Sequence, residues 1–207
     1  SVAAALQQHS KGWYAVERCV VLRDERATPA QWQKSLEEVC RDLHQHARPD
    51  DLLVLFFAGH GIVDRQTQQY YFVGHDFSLE DLDKRQYAAC ISWKDFRLLA
   101  GIPCRKLVFL DTCHAGAIQT PRSQDLKTGV RELQDHVIFT FAASSSDERS
   151  AENKAWKHGA FTQAVLESLR GESPQAGTLR ITLNDVVSYV QAAVRKVTNG
   201  RDRKSVV

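Results

Sequence analysis

Leu52-Leu53-Val54-Leu55-Phe56-Phe57-Ala58, running straight into Gly59-His60-Gly61, is the stretch whose reading decides the fold. Launched by Pro49-Asp50-Asp51, its seven apolar residues have no polar face. A strand of that kind belongs in the middle of a parallel sheet covered on both sides. Working outward, Lys106-Leu107-Val108-Phe109-Leu110 is a second such strand and ends in Asp111-Thr112-Cys113-His114-Ala115-Gly116, while Val137 to Ala143 reads as a third. The clearest helix opens with Thr28 as N-cap, Pro29 at the first helical position and Gln31 completing a capping box, and it lays Trp32, Leu36, Val39 and Leu43 along one face. Ala160 to Leu169 reads as another helix, and a further one begins at Thr182 with Val186, Val190, Val194 and Val197 on one face. Shorter segments fill the gaps: a strand over Tyr14 to Leu22, an aromatic strand over Gln69 to Val73, and a short helix over Ser92 to Leu99 capped by Ser92. Strands alternating with helices predict an α/β fold with a mostly parallel central sheet flanked by helices in three layers.

At 207 residues the chain is expected to form a single domain, residues 1–207, with a core of its own. With 27 basic against 25 acidic residues it carries neither a nucleic-acid footprint nor a polybasic membrane tail. Its longest apolar run, the seven residues Leu52 to Ala58, falls far short of the roughly 20 that a membrane helix needs. Neither nucleic acid nor a membrane is therefore an expected partner. The five cysteines (Cys19, Cys40, Cys90, Cys104 and Cys113) are odd in number and form no CxxC pair. They read as free thiols in a reducing compartment, and with no signal-peptide pattern the expected location is cytoplasmic. The chain starts at Ser1 and contains no Met, so it is expected to be a piece of a longer protein. Ala117 to Asp135, 19 residues with neither helical nor strand period, is a candidate cleavable loop.

The chemistry sits where two of the buried strands end. In open parallel sheets the crevice beyond the carboxyl ends of the strands is where ligands bind. If these strands are neighbours, His60 and Cys113 enter one cleft although 53 residues separate them. That pairing is what a Cys-His hydrolase needs: a thiolate nucleophile, and an imidazole that takes its proton and later protonates the leaving amine. Gly59 and Gly61 are expected to turn the backbone tightly beside the histidine, with the Gly61 amide aimed at a developing oxyanion. Asp111, two residues before the cysteine, lies on the same side of an extended chain. Unless it is spent on a helix cap, it would select a substrate with Arg or Lys beside the bond being cut.

Plainer readings stand beside these. Cys19, Cys40, Cys90 and Cys104 read as inert small hydrophobes. His114 would point away from the cleft and pack. His44 and His46 do not share a helix face, so they read as a solvated helix end rather than a metal site. Asp64, Asp76, Asp81 and Asp83 read as a solvated acidic loop, and no metal site is assigned. A phosphate-binding reading of Gly59-His60-Gly61 lacks the glycine-rich pattern and its lysine.

LLVLFFAGHGI followed by KLVFLDTCHAGA resembles the caspase-like cysteine peptidases, and specifically their metacaspase and bacterial orthocaspase branch. The later stretch FAASSSDERSAENKAWKHGAFTQAVLESL is similar to the family too, and the likeness runs from about Ala3 to Val197. The resemblance implies the caspase-hemoglobinase fold and an endopeptidase cutting proteins after Arg or Lys. It makes Cys113 the nucleophile, His60 the general base and acid, Asp111 the acidic wall of the pocket, and the amides of Gly61 and Cys113 the oxyanion donors. It sets Ala143 to Asp147, with Ser144, Ser145 and Asp147, along the substrate cleft.

Three departures from the family's pattern carry expectations of their own. The family's sheet has an earlier strand lying within it, so this domain is expected to lack its first strand, with the missing N-terminal segment or other domains of a longer chain as partners. Many metacaspases bind calcium; Asp76 matches one of their aspartates, but Ser92 and Trp93 stand where an acidic pair would be, so no cofactor is expected to be required and calcium is left as a doubtful candidate. The long loop after Gly116 carries Arg122, Lys127 and Arg131, where an enzyme specific for basic residues would cut itself. The alternative from another class is a catalytically idle caspase-like scaffold acting as an interaction or sensor module.

Overall fold

In a computed structural model of the chain, residues 1–9, 14–64, 66–67, 69–114, 138–142, 160–170 and 183–197 are described. Five strands form one sheet: β1 (Leu52–Val63), β2 (Tyr70–Val73), β3 (Cys90–Ser92), β4 (Arg105–His114) and β5 (Ile138–Ala142), in the order β3-β2-β1-β4-β5. The helices are α1 (Val2–His9), α2 (Pro29–His46), α3 (Leu79–Asp83), α4 (Ala160–Leu169) and α5 (Leu183–Val197), with 3₁₀ turns at Asp24–Arg26 and Trp93–Leu99.

The expectation of a mostly parallel sheet holds for one half of it. β1 pairs parallel with β4, and β4 parallel with β5. The other half is antiparallel, because β1 continues past the histidine to Val63 and the chain doubles back after Asp64 to form β2 and then β3. Asp64 holds that reversal from a buried position. It accepts from the Gln66 amide, the Thr67 hydroxyl and the Arg85 guanidinium. Burial pushes its carboxyl up, yet these donors outweigh it and keep the group below the ordinary carboxylate range. Asp64 is thus a structural anchor and not part of a solvated acidic loop.

Strand alternation sends the two faces of the sheet into two cores. On one face Leu53, Leu55 and Phe57 of β1 and Val108 and Leu110 of β4 meet Trp32, Leu36 and Cys40 of α2 and Trp93, Phe96 and Leu99 of the second 3₁₀ turn. On the other, Val54, Phe56, Leu107 and Phe109 meet Phe161, Ala164 and Val165 of α4 and Val186 and Val190 of α5. α1 closes this second layer with Val2 and Ala5 against Leu166. The helix starting at residue 29 forms as its cap predicts, with the Thr28 hydroxyl accepting from the Gln31 amide at 3.3 Å, although Cys40 rather than Val39 completes its buried stripe. Lys106 is a buried cation on the α2 side, its Nζ donating to the carbonyls of Ile102 at 2.7 Å and Cys104 at 3.0 Å.

One finding corrects the sequence reading near the start of the chain. Tyr14 to Leu22 is not a strand: it joins no ladder among the described residues, and Tyr14, Val16, Val20 and Val21 are exposed. The sheet also has an open edge among the described residues. β2 covers β1 only at Gly61 to Val63, so Leu52 to His60 have β4 on one side and no strand on the other among the described residues. A pattern of alternating apolar residues describes a surface suited to a strand, but a strand needs a partner, and the partner is a tertiary property.

Candidate active site

The two strands that carry the chemistry are direct neighbours in register. Leu52 pairs with Arg105 at one end, and the ladder runs without a break to Ala58 opposite Asp111, His60 opposite Cys113 and Gly61 opposite His114. Adjacent strands lie about 4.8 Å apart, so the residue types of a nucleophile–base pair occupy facing positions. Phe56 and Phe109 belong to the α4/α5 core, and counting by twos puts Ala58 and His60 of β1, and Asp111 of β4, on that same side. Ala58, Gly59 and His60 are exposed where β1 has its open edge, so the imidazole is accessible from solvent.

The glycines work differently from the expectation. Gly59-His60-Gly61 is not a tight turn at the end of the strand, because β1 runs on through it to Val63. What Gly61 supplies is space: a Cβ there would overlap the Tyr70 hydroxyl and ring. Tyr70, itself 1% exposed, donates from that hydroxyl to Thr112 Oγ1 at 2.7 Å. Thr112 is the residue between Asp111 and Cys113.

Asp111 is half-buried and is held by the start of α4. Its Oδ2 accepts from the Thr162 amide at 3.2 Å and from the Thr162 hydroxyl. Asp111 is not the N-cap of the turn that follows it, since it lies inside β4; its carboxylate instead sits at the N-terminus of a distant helix, where negative charge is favoured. The second oxygen gives a carboxylate further acceptor capacity, so this contact does not exhaust it. Thr162 was legible only as part of the HGAFT run; its partner lies 51 residues away and has no local signal. Tyr70 and Thr112 were missed for the same reason, since one reads as a core aromatic and the other as a spacer.

Several predicted positions lie outside the described residues: Ser144, Ser145 and Asp147 of the substrate-cleft loop, the cleavage candidates Arg122, Lys127 and Arg131, and the whole of Ala117 to Asp135. Ser92, Trp93 and Asp76, the positions weighed for calcium, are each engaged within the chain. Ser92 is occupied as the cap of the 3₁₀ turn, its hydroxyl accepting from the Lys94 amide at 3.2 Å. Trp93 is buried and stacked on Phe96 at 4.6 Å. Asp76 is left with His75 Nδ1 at 3.1 Å. Among the described residues no group of three or more His, Cys, Asp or Glu side chains is arranged to hold a metal ion, and no helix is long and apolar enough to cross a membrane.

Three of the other four cysteines behave as the plain reading expects, and Cys19, which is exposed rather than buried, does not. Cys40, Cys90 and Cys104 are buried free thiols. Burial pushes Cys40 and Cys90 up to about 11 and raises Cys104 as well, which keeps all three out of thiolate chemistry. Cys19 is free and exposed.

No curated protein matches the chain. A family model described as Caspase domain matches residues 8–206, almost the whole length. With a helix-flanked α/β sheet and a histidine strand laid against a cysteine strand, the chain belongs to the caspase-domain family, whose chemistry is that of cysteine-type peptidases.

Proposed function

We propose that the protein is a cysteine endopeptidase of the metacaspase and orthocaspase branch, cutting proteins after Arg or Lys with His60 and Cys113 as its reacting pair. The observation that carries this reading is the register of β1 on β4, with His60 opposite Cys113 and Ala58 opposite Asp111. In the proposed course the Cys113 thiolate attacks the scissile carbonyl carbon, the carbonyl π pair moves to oxygen, and the amides of Gly61 and Cys113 receive the oxyanion. The oxyanion collapses, the C–N bond breaks, and the imidazolium of His60 protonates the departing amine. Water, deprotonated by His60, then adds to the thioester and releases the acid and the thiolate. No cofactor enters this scheme.

Specificity for a basic residue rests on Asp111, whose carboxylate is half-buried beside the small exposed Ala58. Autoprocessing within Ala117 to Asp135, at Arg122, Lys127 or Arg131, would follow from the same specificity, and Ser144, Ser145 and Asp147 complete the cleft in this reading. The open edge over Leu52 to His60 supports an additional strand supplied by an N-terminal segment or another domain of a longer cytoplasmic chain.

The test is cleavage of fluorogenic peptides bearing Arg, Lys, Asp or neutral residues before the reporter, by wild type, Cys113→Ala and Asp111→Asn. Wild type is expected to cut after Arg and Lys, and Cys113→Ala to cut nothing. Asp111→Asn should lose about 30-fold or more of its preference for basic over neutral residues, the equivalent of about 2 kcal/mol from one charge pair. An Asp111→Asn enzyme with lower thermal stability but unchanged preference would make the carboxylate a helix cap only. Absence of cleavage of any peptide would favour the idle scaffold.

A further inference from the structure

Two buried contacts on the face of the sheet away from His60 converge on one side chain. Tyr70 lies on β2, opposite Val63, and its ring occupies the space that a side chain at Gly61 would need. Its hydroxyl donates to Thr112 Oγ1 at 2.7 Å, a hydrogen bond between residues 42 apart in sequence and closed to solvent. Gly61 follows His60 directly, and Thr112 precedes Cys113 directly. One aromatic side chain thus touches the neighbour of the base and bonds the neighbour of the nucleophile.

The opposite face is pinned as well. Asp111 is tied to Thr162 at the start of α4, on the side of the α4/α5 core, while Thr112 is tied to Tyr70 on the side of the α2 core. The two residues before Cys113 are therefore fixed from above and below the sheet. A packed interior transmits small displacements because it has no slack to absorb them. Losing the Tyr70 bond frees Thr112 to turn and carries the Cys113 backbone with it.

We infer that Tyr70 is a positioning residue, a strut that sets the register of the Cys113 backbone against His60 through its hydrogen bond to Thr112 and its contact with Gly61. The inference rests on the reading of His60 and Cys113 as the reacting pair. A buried tyrosine needs a partner for its hydroxyl in any protein. The strut differs from that plain requirement in predicting an effect on the thiol as well as on stability.

The test uses Tyr70→Phe, Thr112→Val, Thr112→Ser and the double variant Tyr70→Phe/Thr112→Val. Alkylation of Cys113 by iodoacetamide near neutral pH is followed by mass spectrometry, with exposed Cys19 as internal reference and Tm measured in parallel. Tyr70→Phe and Thr112→Val are each expected to slow Cys113 by about 5–10-fold, the scale of one buried hydrogen bond, with Cys19 unchanged. Thr112→Ser, which keeps the hydroxyl, should stay near wild type. The double variant should be no worse than either single one, since both remove the same bond. Wild-type Cys113 rates in Tyr70→Phe, or additive losses in the double variant, would overturn the inference. Peptide cleavage by the wild type is scored separately: its absence alongside a Tyr70-dependent Cys113 would sink the peptidase reading and leave the strut standing.

Discussion

Replacing His60 with alanine is expected to lower kcat/KM for peptide cleavage by about 10²–10⁴-fold, the usual contribution of a positioned general acid and base. The loss should fall on kcat, because the imidazole acts on the proton of the thiol and on the departing amine rather than on substrate binding. Tm should stay close to the wild-type value. His60 is exposed and belongs to neither core, and β1 reaches Val63 through backbone pairing that alanine preserves. Steady-state kinetics beside a thermal melt read both quantities. A His60→Ala enzyme with full activity would remove the base from the scheme, and a collapse in Tm with activity lost in proportion would make the histidine structural.

Gly61→Ala is expected to be among the most damaging single-methyl changes in the chain. The added Cβ would coincide with the Tyr70 hydroxyl and ring, and neither can step aside while Tyr70 is 1% exposed and bonded to Thr112. Overpacking of this kind costs about 1–3 kcal/mol and sometimes more, which in a domain of this size lowers Tm by about 2–12 °C. Activity should fall further than stability accounts for, because the displaced ring releases Thr112 beside the nucleophile. Pairing the change with Tyr70→Leu, which vacates the clash, should give a Tm loss smaller than the sum of the two single losses. Thermal melts of the four proteins measure it; strict additivity would mean that ring and glycine do not compete for the same space.

The strands that carry the chemistry were readable from composition alone. Leu52 to Ala58 and Lys106 to Leu110 are apolar on both faces, which only a strand between two helical layers accommodates, and they turned out to be neighbours. The start of α2 was equally plain, since Thr28, Pro29 and Gln31 carry their signal within four residues. Partners distant in sequence were not readable. Tyr14 to Leu22 has the pattern of a strand, yet among the described residues no neighbour pairs with it. β1 was expected to stop at the glycines and instead runs through them, because Gly61 answers to Tyr70 rather than to a turn. Asp111 was weighed as pocket wall or as cap of the turn after it, and local sequence could not supply Thr162, the distant donor that holds its carboxylate.

The measurement that tests the central claim most directly is the rate at which each of the five cysteines is alkylated near neutral pH in the wild type and in His60→Ala. If His60 and Cys113 form a reacting pair, Cys113 is modified faster than exposed Cys19, Cys40, Cys90 and Cys104 trail because burial has raised them, and the advantage of Cys113 disappears in His60→Ala. Alkylation that follows exposure alone, with Cys113 no faster than Cys19 and indifferent to His60, would contradict the account.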